Sequence, residues 1–183
     1  CATNAGVVGA DDYAFEWLSK YPDFHDLPAQ ELTLTGRNFE YQNVLEDVTE
    51  TVRSGAYSPF GVPTTAGQVI PASERPTGAI MRCNLDGSDL EVFASGLRNP
   101  YGLAFDAQGR LFITEHGMDE RGKRFIVDDP DDFYEVKQGQ WYGWPDYASG
   151  VRLDDPRWGE GGANREPLIE NPPDPNPPKP LAE

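Results

Sequence analysis

The fold of this chain is decided between Gly78 and Gly117, where the sequence reads GAIMRCNLDGSDLEVFASGLRNPYGLAFDAQGRLFITEHG. Short apolar runs alternate here with Asp-Gly and Gln-Gly turn signals, a pattern typical of antiparallel strands joined by tight turns. Including one run downstream, the predicted strands are Ala79–Cys83, Leu90–Ala94, Gly102–Phe105, Leu111–Thr114 and Phe133–Val136. No predicted helix separates them, so a βαβ architecture is excluded here. An antiparallel meander, as in a β-propeller blade, is expected instead.

The region before this stretch is less regular. Asp11 and Asp12 precede apolar residues at i, i+3, i+4 and i+7 spacing, which predicts one or two helical turns that end at Pro22. From Asp23 to Glu74 the sequence shows one alternating segment, Glu31–Thr35, in an otherwise irregular stretch. Such a long stretch is expected to be a functional loop or an insertion over a scaffold, and a lid over the substrate is one hypothesis.

The tail is rich in proline. Asn171–Pro180 holds six prolines in ten residues, which favours extended polyproline II structure. A linker or a strap along the surface is the preferred interpretation, and a proline-motif ligand for another domain is the alternative. The chain thus divides into 1–77, a strand end, a long loop and a short helix; 78–145, the propeller strands; and 146–183, a loop and the tail.

Composition and charge restrict the function. The chain has 31 acidic and 15 basic residues and a formal net charge of −16. This balance argues against nucleic-acid binding and against attraction to an anionic membrane. No apolar run approaches the roughly 20 residues of a membrane span. With 38% hydrophobic residues the chain is too apolar to be wholly disordered. An acidic, loop-rich, mostly β protein is therefore expected.

The two cysteines leave several interpretations open. Cys1 could carry a lipid, could pair with Cys83, or could lie at a position that is not a biological terminus, which is the preferred interpretation. Two cysteines do not provide the ligand spacing of a structural zinc site, so such a site is excluded.

Three motifs carry a more specific signal. GLRNPYGLAF at Gly96–Phe105, TEHG at Thr114–Gly117 and YGWP at Tyr142–Pro145 follow one another in this order. In this the chain resembles the glucose/sorbosone dehydrogenase family, soluble quinoprotein sugar dehydrogenases built on a six-bladed β-propeller, and in particular its sorbosone-dehydrogenase-like branch. The opening segment Thr3–Val8 also resembles the end of a propeller strand. The resemblance implies an all-β propeller fold.

The length of the chain limits how much of a propeller it can form. A blade takes about 40–50 residues, so 183 residues with a long loop and a tail leave about two blades. An incomplete ring would expose strand edges. We therefore expect the chain to be a segment of a longer propeller, or to pack onto further protein that completes it.

The resemblance also implies site residues. In the family, the Arg and Asn of the RN pair contact the carboxylate and carbonyl oxygens of pyrroloquinoline quinone (PQQ), and Arg98 and Asn99 stand at these positions. Backbone carbonyls after the TEHG strand bind calcium, and Gly117 and Met118 stand there, although proline is usual at the second position. A guanidinium fork suits a carboxylate, and carbonyl oxygens suit a hard cation. The structural alternative is that Arg98 pairs with a neighbouring acid and Asn99 caps the turn before Pro100.

Other polar residues are weaker candidates. His116 stands where relatives often have Gln, so a supporting or purely structural role is expected rather than that of a base. His25 has no partner motif and is interpreted as a loop histidine. An acidic run could form a second calcium site, but a solvated loop is favoured because it lacks EF-hand spacing. The run consists of Asp128, Asp129, Asp131, Asp132 and Glu135.

The leading functional hypothesis is a segment of a PQQ- and calcium-dependent sugar or aldehyde dehydrogenase that passes electrons to a cytochrome or quinone, in the periplasm or otherwise outside the cytoplasm. The family's catalytic histidine base and its later cofactor-clamping residues belong to regions that no motif here matches. No catalytic residue is assigned, and we expect no turnover by this chain alone. A non-catalytic propeller subunit is the alternative. A calcium-dependent lactonase is the third, less favoured because its metal is held by side-chain ligands from several blades.

Overall fold

The computed structural model describes residues 10–46, 50–159 and 162–182. A 3₁₀ turn at Asp12–Ala14 leads into the short helix α1 (Phe15–Lys20), which confirms the predicted helical turns. Further 3₁₀ turns lie at Pro156–Trp158 and Gly162–Arg165. The strands are β1 (Leu32–Thr35), β2 (Asn38–Gln42), β3 (Thr51–Gly55), β4 (Ala66–Ile70), β5 (Ile80–Arg82), β6 (Glu91–Ala94), β7 (Pro100–Phe105), β8 (Leu111–Glu115), β9 (Asp132–Val136), β10 (Tyr147–Ala148) and β11 (Val151–Arg152). The described residues therefore form a mostly β structure.

The strands pair in five small antiparallel sheets. β1 pairs with β4, β2 with β3, β5 with β6 and β10 with β11, and β7, β8 and β9 form a three-stranded sheet in that order. None of the sheets formed by the described residues closes on itself. None of the helices in these ranges has the length or the apolar character to cross a bilayer.

The five strands predicted from the central stretch are all present, but they do not form one continuous meander. β6 and β7 belong to different sheets because the chain between them turns toward residues 140–144. Ser95 pairs in parallel with Trp141, and the Trp144 amide donates to the Gly96 carbonyl at 2.8 Å. Gly96 has φ +74°, and an added Cβ would lie 2.4 Å from the Trp141 ring. Only glycine fits this turn without a shift of the indole.

The segment from Asp23 to Glu74 differs from the expected irregular loop, because it contains four strands instead of one. β1 and β4 enclose the β2–β3 hairpin, in which Phe39 and Tyr41 alternate with exposed residues and are buried. This alternation is the period of a strand with one buried face. The segment is therefore part of the packed structure and contributes to its core.

Two apolar clusters stabilise the molecule. The larger one joins α1 and the β1–β4 segment to residues 118–169, and its fully buried side chains include Leu34, Ile126 and Trp158. The smaller one lies on one face of β8 and β9. On β7, Leu103 and Phe105 pair with Ile113 and Leu111 and so share that face, yet they are 56% and 67% exposed. The smaller core therefore ends before it reaches the edge strand β7.

The proline-rich tail lies along the surface as a strap. Gln140 donates from its side chain to Asp174 at 2.9 Å, and the Tyr147 hydroxyl donates to the Pro175 carbonyl at 3.1 Å. At its end the backbone pairs with β9: the Phe133 amide donates to Ala182 at 2.9 Å, and the Leu181 amide donates to Phe133 at 2.7 Å. These contacts support the interpretation as a surface strap.

Two features interpreted from the sequence lie outside the described residues, namely Cys1 and the strand end at Thr3–Val8. Cys83 is exposed and forms no disulfide with a described residue.

Candidate functional site

The β7–β8 hairpin brings the two central motifs to one end of the sheet. β7 begins directly after Asn99, and β8 ends at Glu115, directly before His116 and Gly117. Antiparallel pairing aligns Pro100 with Glu115, so the RN pair and the residues after TEHG meet by register.

We refer to these residues as the Arg98–Gly117 corner, which consists of Arg98, Asn99, Glu115, His116, Gly117 and Met118. The Arg98 guanidinium donates through Nη1 to the Gly117 carbonyl at 2.8 Å and through Nη2 to Asp119 at 3.3 Å. The His116 amide donates to the Asn99 carbonyl at 3.2 Å. Arg98 therefore forms the ion pair with an acid that its structural alternative predicts. It also contacts Gly117, another predicted site residue.

Glu115 organises the corner and was not singled out from the sequence. Its Oε1 accepts the backbone amides of both Arg98 and Asn99, the latter at 3.2 Å. Burial raises the pKa of the Glu115 carboxyl to about 7; the two amide hydrogen bonds oppose this shift and the nearby Asp132 adds to it. The sequence marks Glu115 only as part of the TEHG motif. Its contacts depend on which face of β8 carries its side chain, and the motif does not give this.

The acidic run after the corner is not simply a solvated loop, which corrects the favoured interpretation. Asp131 accepts the Gly117 amide at 3.0 Å, and Asp129 accepts the Met118 amide at 2.6 Å. Burial raises the pKa of Asp129. A Cβ at Gly117 would lie 2.4 Å from the Asp129 carbonyl oxygen, so the two loops approach more closely than a side chain would allow. The acidic loop thus fixes the residues implied as calcium ligands.

Asp132, in the same run, is buried behind the corner. The Tyr134 hydroxyl donates to it at 3.0 Å, and the Ser149 hydroxyl lies 3.1 Å from each of its oxygens. Burial, reinforced by Asp132, raises the pKa of Tyr134. No group of three or more His, Cys, Asp or Glu side chains is arranged to hold a metal in the described ranges. The second calcium site left open by the sequence therefore finds no support.

The two histidines differ in position. His116 Nδ1 lies 3.6 Å from Asp131 Oδ1, and its ring is 5.1 Å from that of Tyr101. His116 is thus beside the acid that holds Gly117, which suits a supporting role. His25 is half-buried in the loop after α1, with Nδ1 3.0 Å from the Asp26 carbonyl oxygen.

The donor set of the corner fits a carboxylated quinone and a calcium ion in chemical type. Arg98 offers a planar fork, and the Gly117 carbonyl retains a second lone pair beside the one that Arg98 engages. The partly open pocket at the corner, lined by Arg98, Glu115 and Met118 among others, has a volume of about 20 Å³. Ligand pockets have about 300–1,000 Å³. The described residues therefore offer contacts to such a group without enclosing it.

The comparisons with known proteins agree with these motifs. A family model described as glucose/sorbosone dehydrogenase matches residues 68–173, which is more than half of the chain and includes the whole corner. No curated protein and no solved structure gives a match. By its match to this family model, the chain belongs to the glucose/sorbosone dehydrogenase family.

Proposed function

We propose that this chain supplies one side of the PQQ and calcium site of a sugar or aldehyde dehydrogenase. The observation that carries the proposal is the 2.8 Å contact between Arg98 Nη1 and the Gly117 carbonyl oxygen. It joins a residue expected to bind the quinone to one expected to bind calcium, although the two are nineteen residues apart in the sequence.

Each residue of the corner has a chemical role in this proposal. Arg98 holds a carboxylate of the quinone through its fork, and Asn99 donates an amide hydrogen bond to a quinone oxygen. The carbonyls of Gly117 and Met118 are the ligands that suit calcium. When bound, the quinone would take up the two electrons released on oxidation of the substrate carbon, and calcium would polarise it. Arg98 and Asn99 bind and orient, and neither is proposed as the catalytic base.

Glu115 acts as a positioning residue in this proposal. Its carboxylate accepts two successive backbone amides, those of Arg98 and Asn99, and so fixes the direction in which both side chains leave the chain. Buried polar groups whose hydrogen bonds are satisfied make the surrounding structure more rigid. The pair is thus held in place before any ligand arrives.

The wider context is part of the same proposal. It includes a closed six-bladed propeller, a cytochrome or quinone as electron acceptor, and a location outside the cytoplasm, and membership of the family supports these parts of the proposal. The uncovered apolar side chains Leu103 and Phe105 on β7 support further protein packing against this sheet. That protein is proposed to complete the propeller and to bring the catalytic base.

The test is PQQ binding to the purified protein, followed through the absorbance of the quinone with and without calcium. We expect calcium-dependent binding that Arg98→Gln weakens about 10-fold or more, because charge-assisted hydrogen bonds contribute about 1.5–3 kcal/mol. Arg110→Gln is the matched control, since Arg110 lies at the other end of the hairpin and pairs with Asp106. Equal affinity of both variants, or binding unaffected by a chelator, would contradict the proposal and favour a non-catalytic propeller subunit.

A further inference from the structure

A second and much larger cleft lies away from the Arg98–Gly117 corner and shares none of its residues. It has a volume of about 680 Å³, within the range of about 300–1,000 Å³ typical of small-molecule sites. Its walls are the turn between β1 and β2, strand β3, the β10–β11 hairpin and the segment 166–172. None of the sequence motifs accounts for it.

Three arginines line this cleft, although the chain has only 15 basic residues and a net charge of −16. They are Arg37, Arg53 and Arg152. Arg152 is engaged by Asp154 through two hydrogen bonds of 2.8 and 2.5 Å. Arg53, on β3, is exposed and forms no ion pair within the described residues.

Two of the three carboxylates in the cleft have partners that keep them in place. Asp146 is buried and accepts hydrogen bonds from Arg124 at 2.9 Å and from the Leu168 and Ile169 amides. Glu170 accepts the Gly67 amide at 3.2 Å. Asp146 is therefore already paired with Arg124, and Glu170 forms no ion pair with Arg37 or Arg53 among the described residues.

Glu166 is the third carboxylate and is held differently. Its side chain is 57% exposed and forms an ion pair with Arg37. The Glu166 carbonyl accepts a hydrogen bond from Arg124 at 3.1 Å, so its backbone is fixed while its side chain can rotate away. The Arg37 side chain is 24% exposed, so the pair lies near the surface, where ion pairs typically contribute about 1 kcal/mol or less. Glu166 thus shows that Arg37 accepts a carboxylate, and this carboxylate is replaceable.

The wall of the cleft is fixed before any ligand binds. The Asn38 side chain donates to the carbonyls of Gly36 and Thr64 at 2.8 Å each and accepts the Thr64 amide at 2.7 Å. The Thr35 hydroxyl donates to the Pro167 carbonyl at 2.8 Å. Arg37 therefore projects from a turn that is tied to both neighbouring segments, which lowers the ordering cost of binding.

We propose that this cleft binds a small carboxylate-bearing molecule, whose carboxylate takes the place of the Glu166 side chain on Arg37 and also contacts Arg53. A carboxylate is chosen because Glu166, itself a carboxylate, pairs with Arg37, and the planar guanidinium matches it. The proposal does not depend on quinone binding at the corner.

The test uses D-gluconate as the probe and D-glucose as an uncharged sugar of similar size, with binding to the purified full chain measured by calorimetry. We expect gluconate to bind and glucose to bind at least about 10-fold more weakly. Arg53→Gln and Arg37→Gln should each weaken gluconate binding about 10-fold. Glu166→Gln should strengthen it about 3-fold or more, because the competing carboxylate is lost. Arg82→Gln is the matched control, since Arg82 on β5 is exposed, paired with Glu91 and outside the cleft.

The strengthening by Glu166→Gln separates ligand exchange from a structural role, since loss of a structural ion pair would not raise affinity. Gluconate affinity that is unchanged in Arg53→Gln, or weakened by Glu166→Gln, would overturn the proposal. If glucose bound as tightly as gluconate, the negative charge of the ligand would not determine affinity, and the proposal would be overturned. Tighter binding of inorganic phosphate than of gluconate would overturn the assignment to a carboxylate.

Discussion

Among the described residues, Arg124 and Arg98 each lie beside a buried carboxylate, and the two arrangements are built in opposite ways. Arg124 is 0% exposed, and its guanidinium donates to Asp146 and to four backbone carbonyls. The Arg98 side chain is 15% exposed, and it contacts one backbone carbonyl and the exposed Asp119. Its neighbouring carboxylate, Glu115, accepts backbone amides instead of the guanidinium.

The difference shows how the same residue types serve structure or binding. At Arg124 the donors point into the protein, so the ion pair joins the loop after YGWP to residues 164–169. At Arg98 the carboxylate holds the backbone, and the guanidinium is left near the surface. We therefore expect Arg124 to matter for folding and Arg98 to matter for binding.

The largest expected effect is that of Arg124→Met. It leaves the Asp146 carboxylate buried without its guanidinium partner, and removing one member of a buried pair lowers the free energy of unfolding by about 3–5 kcal/mol. Urea unfolding followed by tryptophan fluorescence measures this. Arg110→Met, at the exposed pair with Asp106, is the control and should change stability by about 1 kcal/mol or less. Equal losses in the two variants would remove the structural role of Arg124.

A smaller effect is expected from the ionisation of Glu115. Its pKa is raised from 4.5 to about 7 in the folded protein, so the folded state binds more protons than the unfolded state between these pH values. The free energy of unfolding therefore falls as pH rises from 4.5 to 7, by about 3 kcal/mol from this group, and the loss is complete above pH 7.

Glu115→Gln removes this titration while keeping an acceptor for the two amides. The difference in stability between the native protein and this variant, measured from pH 4.5 to 8 with a chelator present, should follow that fall. A difference that stays constant with pH would mean that Glu115 is ionised throughout, as a surface carboxylate would be.

The smallest effect on stability is expected from Arg98→Gln. It removes one hydrogen bond to Gly117 and an exposed ion pair, so the free energy of unfolding should fall by about 1 kcal/mol or less, although quinone affinity should fall about 10-fold or more. Thermal unfolding and quinone titration on the same sample measure both. A stability loss as large as that of Arg124→Met would show that both arginines are structural and would end the contrast between them.

Strands could be predicted from the local sequence where alternating apolar residues are bounded by turn residues. Strands β5–β9 could be predicted because each apolar run is bounded by glycine or Asp-Gly and Gln-Gly turns. β2 carries the same alternation in Phe39 and Tyr41, but it is bordered by polar and charged residues and was missed. β3 buries Ser54 and Gly55, so it has no apolar pattern that a sequence could reveal.

The site could be predicted only as far as its motifs extend. Arg98, Asn99 and Gly117 were found through the motifs, and the register of β7 and β8 brings them together. The parts played by Glu115, Asp129 and Asp131 were missed because they bond to backbone amides of residues 11 to 17 positions away. Partners of that kind depend on which loops meet in space, and no spacing rule reports them.

Because the tail pairs with β9, the two edges of the three-stranded sheet differ in how open they are to a further strand. A sheet is extended at an edge whose backbone groups lack a neighbour. Leu181 and Ala182 already occupy backbone groups of Phe133 on the β9 side, whereas β7 has β8 as its only partner among the described strands. We therefore expect a polypeptide that adds a strand here to join at β7, whose first residue follows Asn99 directly. The edge at which this sheet can be extended is therefore also the edge that begins next to Asn99 of the candidate site.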